Sequence, residues 1–170
     1  MADFEKYVYT KRSTLPGAGK GLFTKVFIPK GSRIVEYKGE ILTWKEVRRM
    51  EEERNGYVFY VNSRHVIDAW NHRDALARYA NDAKGITRIS GLKSNSEYVV
   101  DKKRCFITAT RDISAGAEIF VEYGTEYWQV IRYNIRLEEQ KKPLAGRTRP
   151  AVALPHQKLL KRQKERTKAK

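Results

Sequence analysis

An α+β fold, mainly β, is predicted by three features of this chain: short apolar or alternating runs recur from Tyr7 to Val121, Gly, Pro and Asn punctuate them, and helical period is confined to a few stretches. The runs Tyr7–Lys11, Gly21–Lys25, Arg33–Tyr37, Tyr57–Val61, His65–Ala69, Glu97–Val100, Cys105–Ala109 and Glu118–Val121 each read as a strand. Between the third and fourth runs, Thr43 followed by Glu46 forms a capping box. Trp44, Val47 and Met50 then recur every third residue, which predicts a helix over Thr43–Arg54. A short helical turn is expected at Asp74–Tyr79, where Ala75, Leu76, Tyr79 and Ala80 are apolar. A second helix is expected over Glu126–Gln140, with Trp128, Ile131, Ile135 and Leu137 on one stripe.

The chain has 170 residues, 41% of them hydrophobic, which suits one core and one folded domain, expected over residues 1–140. Composition then changes: residues 141–170 hold seven Lys, four Arg and one Glu, a net +10 of the formal +15. Pro143, Pro150 and Pro155 break any helix there, so Lys141–Pro155 reads as a linker. His156–Lys170 is expected to form a basic amphipathic helix or to stay disordered until it meets a partner. A cationic arm attracts polyanions over a screening length of about 10 Å, so DNA or an acidic protein surface is its expected partner.

Cys105 is the single cysteine, so the chain builds neither an internal disulfide nor a cysteine-based zinc cluster, and a reduced intracellular compartment is expected. That compartment would be the cytoplasm or nucleoid in a bacterium and the nucleus in a eukaryote. The charged start MADFEKYVYTKRS lacks the apolar stretch of a secretory signal, and no run reaches the length of a membrane span, so no membrane association is expected. His65, His72 and His156 lack metal-ligand spacing, and no metal site is expected.

The segment Leu15-Pro-Gly-Ala-Gly-Lys-Gly-Leu-Phe23 places Gly17, Gly19 and Gly21 directly before a strand, where backbone amides can approach a ligand closely. It neither ends in the Lys-Ser/Thr of a phosphate-binding loop nor opens a helix, so it is not a nucleotide-triphosphate loop, and by itself it reads equally as a β-turn. It is followed in order by Glu36-Tyr-Lys-Gly-Glu40, Tyr57-Val-Phe59, Val66-Ile-Asp-Ala69, Arg78-Tyr-Ala-Asn-Asp-Ala83 and Gly116-Ala-Glu-Ile-Phe-Val-Glu-Tyr-Gly124, with Tyr127-Trp128 beyond. Over residues 5–135 this series resembles the SET-domain protein-lysine methyltransferases.

The resemblance implies small curved sheets closed by a C-terminal pseudoknot, with residues 1–140 as the catalytic domain. It also implies S-adenosylmethionine as cofactor and a protein substrate with an accessible lysine, a histone or histone-like DNA-associated protein among the candidates. Gly19, Lys20, Gly21, Tyr57, Arg78, Tyr79, Asn81, Asp82 and Trp128 would bind the cofactor. Tyr123 would be catalytic, and Phe59, Val121, Tyr123 and Tyr127 would line the substrate channel. Methyl transfer from a sulfonium to an amine demands alignment and exclusion of water, and aromatic faces suit the cation. The incoming lysine, with an ordinary pKa of about 10.4, must lose its proton, which a dry channel favours.

Core packing competes with a channel role for Tyr57 and Phe59, and for Tyr127 and Trp128. Glu122 and Asp68 read as structural or substrate-facing acids. Two positions depart from the family pattern. Asp82 stands where histidine is usual, placing a charge near a cationic ligand, and no cysteine follows Cys105 to build the zinc-bound segment that many relatives carry. The second departure resembles the compact viral and bacterial members, and it leaves the Glu126–Gln140 helix or a partner subunit, as in a homodimer, to complete the channel. Two other readings stay open: a non-catalytic module of the same fold, and a nucleic-acid-binding protein that works through its tail.

Overall fold

A computed structural model describes residues 4–50, 56–85, 89–123 and Arg136. The end of the first expected helix, the Glu126–Gln140 helix apart from Arg136, the 140/141 boundary, the basic tail, Gly124, Tyr127 and Trp128 lie outside the described residues. In chain order the strands are β1 (Val8–Arg12), β2 (Lys20–Thr24), β3 (Arg33–Glu36), β4 (Glu40–Leu42), β5 (Val58–Asn62), β6 (His65–Asp68), β7 (Ser96–Asp101), β8 (Arg104–Ala109) and β9 (Glu118–Ile119). One α-helix, α1 (Trp44–Val47), and 3₁₀ turns at Glu5–Tyr7 and Leu76–Tyr79 complete the described elements.

Three three-stranded antiparallel sheets result, ordered β1-β2-β9, β3-β8-β7 and β4-β6-β5. Their inward faces meet in one core that contains Leu22, Ile34, Val35, Phe59, Ile67, Ile107, Ile119 and Val121. Strands covered on both sides run continuously apolar, as at Leu22-Phe23 and Cys105-Phe106-Ile107, because no solvent face remains for polar side chains.

β4 is absent from the expected strands, since three residues hold too little alternation to register as a strand. It forms by pairing with β6 in the register Glu40↔Asp68, Ile41↔Ile67 and Leu42↔Val66. Gly39 permits this approach: a Cβ there would lie 2.3 Å from the Asp68 carbonyl oxygen.

The expected capping box is formed, with Glu46 N–H donating to Thr43 Oγ1 at 3.3 Å and Thr43 N–H donating to the Glu46 carboxylate at 2.6 Å. The helix is nevertheless one turn long. Trp44 and Val47 pack on Val58 and Val66, Met50 is the next described residue of the helix stripe to return to that face, and Arg48 and Arg49 are in a turn and Met50 in a bend.

The expected strand Glu118–Val121 divides in two. Ile119 and Glu118 pair with Leu22 and Phe23 of β2, whereas Phe120 and Val121 make parallel bridges to Asn81 and Ser96. Val121 N–H donates to Asn81 O at 2.9 Å, and Ser96 N–H to Phe120 O at 2.9 Å. The closing segment therefore runs between the two ends of the 81–96 connection, which is the crossing of the C-terminal pseudoknot.

Candidate functional site

The Gly loop is built over a buried carboxylate. Glu118, on β9, accepts from Ser13 Oγ at 2.6 Å, Thr14 N–H at 2.7 Å, Thr14 Oγ1 at 2.6 Å and Asn81 Nδ2 at 3.3 Å. Asn81 Nδ2 also donates to Lys20 O at 2.9 Å, which ties the first residue of β2 to the pseudoknot. Gly21 is glycine because a Cβ there would sit 2.1 Å from Glu118 Oε1. Gly19 is glycine for a different reason: its φ is +71°, and the space around it is open. Leu15 and Ala18 of the loop pack on Phe120 and Ala83.

Asp82 is 1% exposed and faces into the crossing. Its Oδ2 accepts from Tyr123 N–H at 2.8 Å, and its Oδ1 accepts from Lys84 N–H at 2.8 Å and Ser94 Oγ at 3.3 Å. The charge expected to stand where an imidazole is usual is thus turned inward and solvated by protein donors. Tyr123 is buried, and its hydroxyl donates to Ala80 O. Toward any third group the phenol oxygen is then an acceptor.

Phe59, Val121 and Tyr123 fall in one apolar cluster with Tyr37, while Tyr57 and Tyr98 pack against it. Phe59 lies 5.8 Å from the Tyr37 ring and 5.2 Å from the Tyr98 ring. The Tyr37 hydroxyl donates to Tyr57 O at 3.0 Å. Burial holds the Tyr37 and Tyr98 hydroxyls well above the ordinary tyrosine range, and it also raises the Cys105 thiol, so all three stay protonated at neutral pH.

Tyr57 directly precedes β5, its carbonyl accepts from Ala69 N–H at 3.0 Å, and it packs against the same cluster as Phe59. Its ring meets Trp70 edge-on at 5.4 Å and carries the Arg78 guanidinium at 3.9 Å. Arg78 Nη1 donates to Trp70 O at 2.9 Å, and its buried Nε has no hydrogen-bond partner among the described residues. Tyr79 lies 5.4 Å from the same guanidinium and 5.7 Å from Lys20 Nζ.

The expected residues thus line up along the closing segment: Gly19, Lys20 and Gly21 lie at its Glu118 end, Asn81 beside Phe120 and Val121, and Asp82 at Tyr123. Tyr57, Arg78 and Tyr79 form an adjoining aromatic and cationic stack. Four residues of the arrangement were not anticipated: Glu118, Tyr37, Trp70 and Tyr98. Tyr37 carried a usable signal, being an aromatic inside Glu36-Tyr-Lys-Gly-Glu40. Glu118 carried a fainter one, an acid at the start of an otherwise apolar strand. Among the described residues, no group of three or more His, Cys, Asp or Glu side chains is placed to hold a metal ion.

Three small sheets, a pseudoknot and a Gly loop tied to it define a SET domain, and the chain belongs to that family: residues 19–124 match the SET domain model. It is 31% identical over 146 residues to the histone-lysine N-methyltransferase EZH2 of Chaetomium thermophilum, covering 79% of this chain and 9% of that protein. To the N-lysine methyltransferase KMT5A-A of Danio rerio it is 26% identical over 119 residues, covering 65% of this chain and 33% of that one. Among solved structures, it matches a humanized mutant of the Chaetomium thermophilum Polycomb Repressive Complex 2 bound to the inhibitor GSK126. That match has 32% identity and a TM-score of 0.53, over 69% of this chain and 15% of that chain. The chain therefore spans a third or less of each of these proteins.

Proposed function

We propose that this chain is a protein-lysine N-methyltransferase that uses S-adenosylmethionine. The observation that carries the reading is the convergence of the Gly loop, Asn81 and Tyr123 on one closing segment within a SET domain. The residues suit a polar ligand that carries both a cationic centre and a carboxylate: Gly19 opens on unfilled space, Tyr57 and Tyr79 present half-buried rings, and Arg78 Nε, a buried donor without a partner among the described residues, suits an acceptor. Gly19, Lys20, Gly21, Asn81 and the Tyr57–Arg78–Tyr79 stack would hold the cofactor, with Asp82 contributing through its backbone, and Trp128 would close over it. When bound, the cofactor supplies an electrophilic methyl group on a sulfonium.

The chain's own part is alignment and dehydration. Tyr123, with its proton engaged by Ala80 O, presents an oxygen acceptor that orients the substrate amine. Phe59, Val121 and the unanticipated Tyr37 and Tyr98 would form a dry wall, completed by Tyr127, that favours the neutral amine over the ammonium. The substrate is a lysine of a histone or histone-like protein, encountered inside the cell. Residues 141–170 would add contact with DNA or an acidic protein, and a second copy of the chain is one source for the remaining channel wall.

Calorimetric titration with S-adenosylmethionine, alongside labelled-methyl transfer to histones, histone-like DNA-binding proteins and the protein itself, tests this reading. Binding with transfer to lysine is expected. Binding without transfer to any of these substrates would favour a non-catalytic module, and no binding would overturn the cofactor assignment.

A further inference from the structure

We propose that Glu118 is a positioning residue for cofactor binding, holding the Gly loop in its receiving shape from beneath. This inference rests on the cofactor reading above. Three observations carry it. Both carboxylate oxygens are engaged by donors on the loop's N-terminal flank, Ser13 and Thr14, at 2.6–2.7 Å, although these residues lie more than one hundred positions away in sequence. The same carboxylate touches Asn81 Nδ2, whose other acceptor is Lys20 O on the opposite flank of the loop. Finally, Gly21 has no room for a Cβ because Glu118 Oε1 occupies that place, so the backbone rests directly on the carboxylate.

The two flanks of the loop, Ser13-Thr14 and Lys20-Gly21, are thus referred to one side chain. Within the loop, Ser13 N–H donates to Gly19 O at 2.8 Å, Ala18 N–H to Leu15 O at 3.2 Å and Leu15 N–H to Ser13 Oγ at 3.1 Å, while Leu15 and Ala18 pack on Phe120 and Ala83. Among the described residues Glu118 forms no ion pair, and hydrogen-bond donors alone balance its charge. An acceptor-only group is what this position requires. All four contacts are donated to it, and two of the donors, Thr14 N–H and Asn81 Nδ2, cannot reverse their polarity. A glutamine of the same shape would aim its NH₂ at one of those two, and the contact with Gly21 leaves little room to turn away.

Glu118→Gln therefore tests position and polarity at constant volume. The probe is S-adenosylhomocysteine, titrated calorimetrically into the full chain, with transfer kinetics as a second readout. Thr24→Val serves as control. It removes a buried hydroxyl that bonds Val26 O at 2.8 Å, at the end of β2 away from the loop, and so costs stability without touching the loop.

Glu118→Gln is expected to weaken cofactor binding at least tenfold and to raise the cofactor KM in proportion, with kcat at saturation largely kept, while Thr24→Val binds as the parent does. Binding by Glu118→Gln equal to the parent's overturns the proposal, as does an equal loss in both variants, which would make the effect one of general stability. If Glu118→Gln does not fold, Thr14→Val, which removes only the Oγ1 contact, carries the test: a threefold or greater loss of affinity supports the proposal and an unchanged affinity overturns it. Failure of the parent itself to bind would instead remove the cofactor reading on which the proposal rests.

Discussion

The pseudoknot and the β4-β6-β5 sheet are held by opposite means. Around the crossing, Glu118, Asn81, Asp82 and Asn95 join segments up to 105 residues apart through directed hydrogen bonds. Beneath α1, Trp44, Val47, Val58 and Val66 join neighbouring hairpin strands through apolar burial, and the side-chain hydrogen bonds of the Thr43 capping box are exposed. Apolar burial is non-directional and fixes no particular angle between the groups that meet. A hydrogen bond to a buried carboxylate is directional and weakens steeply as its angle closes. The region proposed to hold the cofactor is built from the directional kind of contact.

Asp82→Ala is the sharpest way to break that comparison. It leaves the buried Tyr123 N–H, and with it Lys84 N–H, without an acceptor, which costs on the order of 4 kcal/mol. Chemical denaturation should show this loss, and cofactor binding should fall with it, because the same bond places Tyr123. Trp44→Ala should cost about 3 kcal/mol through a cavity beneath α1. Unlike Asp82→Ala, it should leave calorimetric cofactor affinity within error of the parent at a temperature where both are folded. An affinity loss in Trp44→Ala would show that the two regions are coupled.

Tyr123→Phe should act mainly on chemistry, lowering turnover by about 100-fold while changing cofactor affinity little, because the ring and its packing remain and only the hydroxyl and its bond to Ala80 O are lost. Equal activity would remove the hydroxyl from the mechanism. The smallest effect is expected at Glu36, outside both regions, whose carboxyl the Arg104 guanidinium holds below its ordinary range by hydrogen bonding. The folded state then binds the proton more weakly than the unfolded one, so the pair stabilises above the ordinary carboxyl pKa and its contribution is lost as pH falls through the lowered folded value. Glu36→Gln should be slightly less stable than the parent at pH 7 and indistinguishable from it in strong acid.

Eight strands were legible from alternation and turn residues, and the observed bounds differ mainly by single residues at their ends. β4 was not, because it is too short to carry a period and exists through its register with β6. The Thr43 cap was legible because its two partners are three residues apart. Glu118 was not, because its partners at Ser13 and Thr14 have no local relation to it, and a lone acid before an apolar run reads as a surface residue. Asp82 was legible as a departure from the family pattern, but the direction its carboxylate faces was not. Identity revealed the charge, and only the fold showed that it points into the crossing, where three donors receive it.

By itself the sequence determined the mainly β class, the positions of most strands and the order of motifs that mark a SET domain, since each is written in local period, turn chemistry or adjacent residues. The tertiary structure alone decided how those motifs meet. It set which end of the 81–96 connection each closing residue bridges, why Gly21 must lack a side chain, and which carboxylate supports the Gly loop. Those outcomes depend on contacts between residues far apart in the chain, whose hydrogen bonds leave no periodic trace in the sequence that makes them.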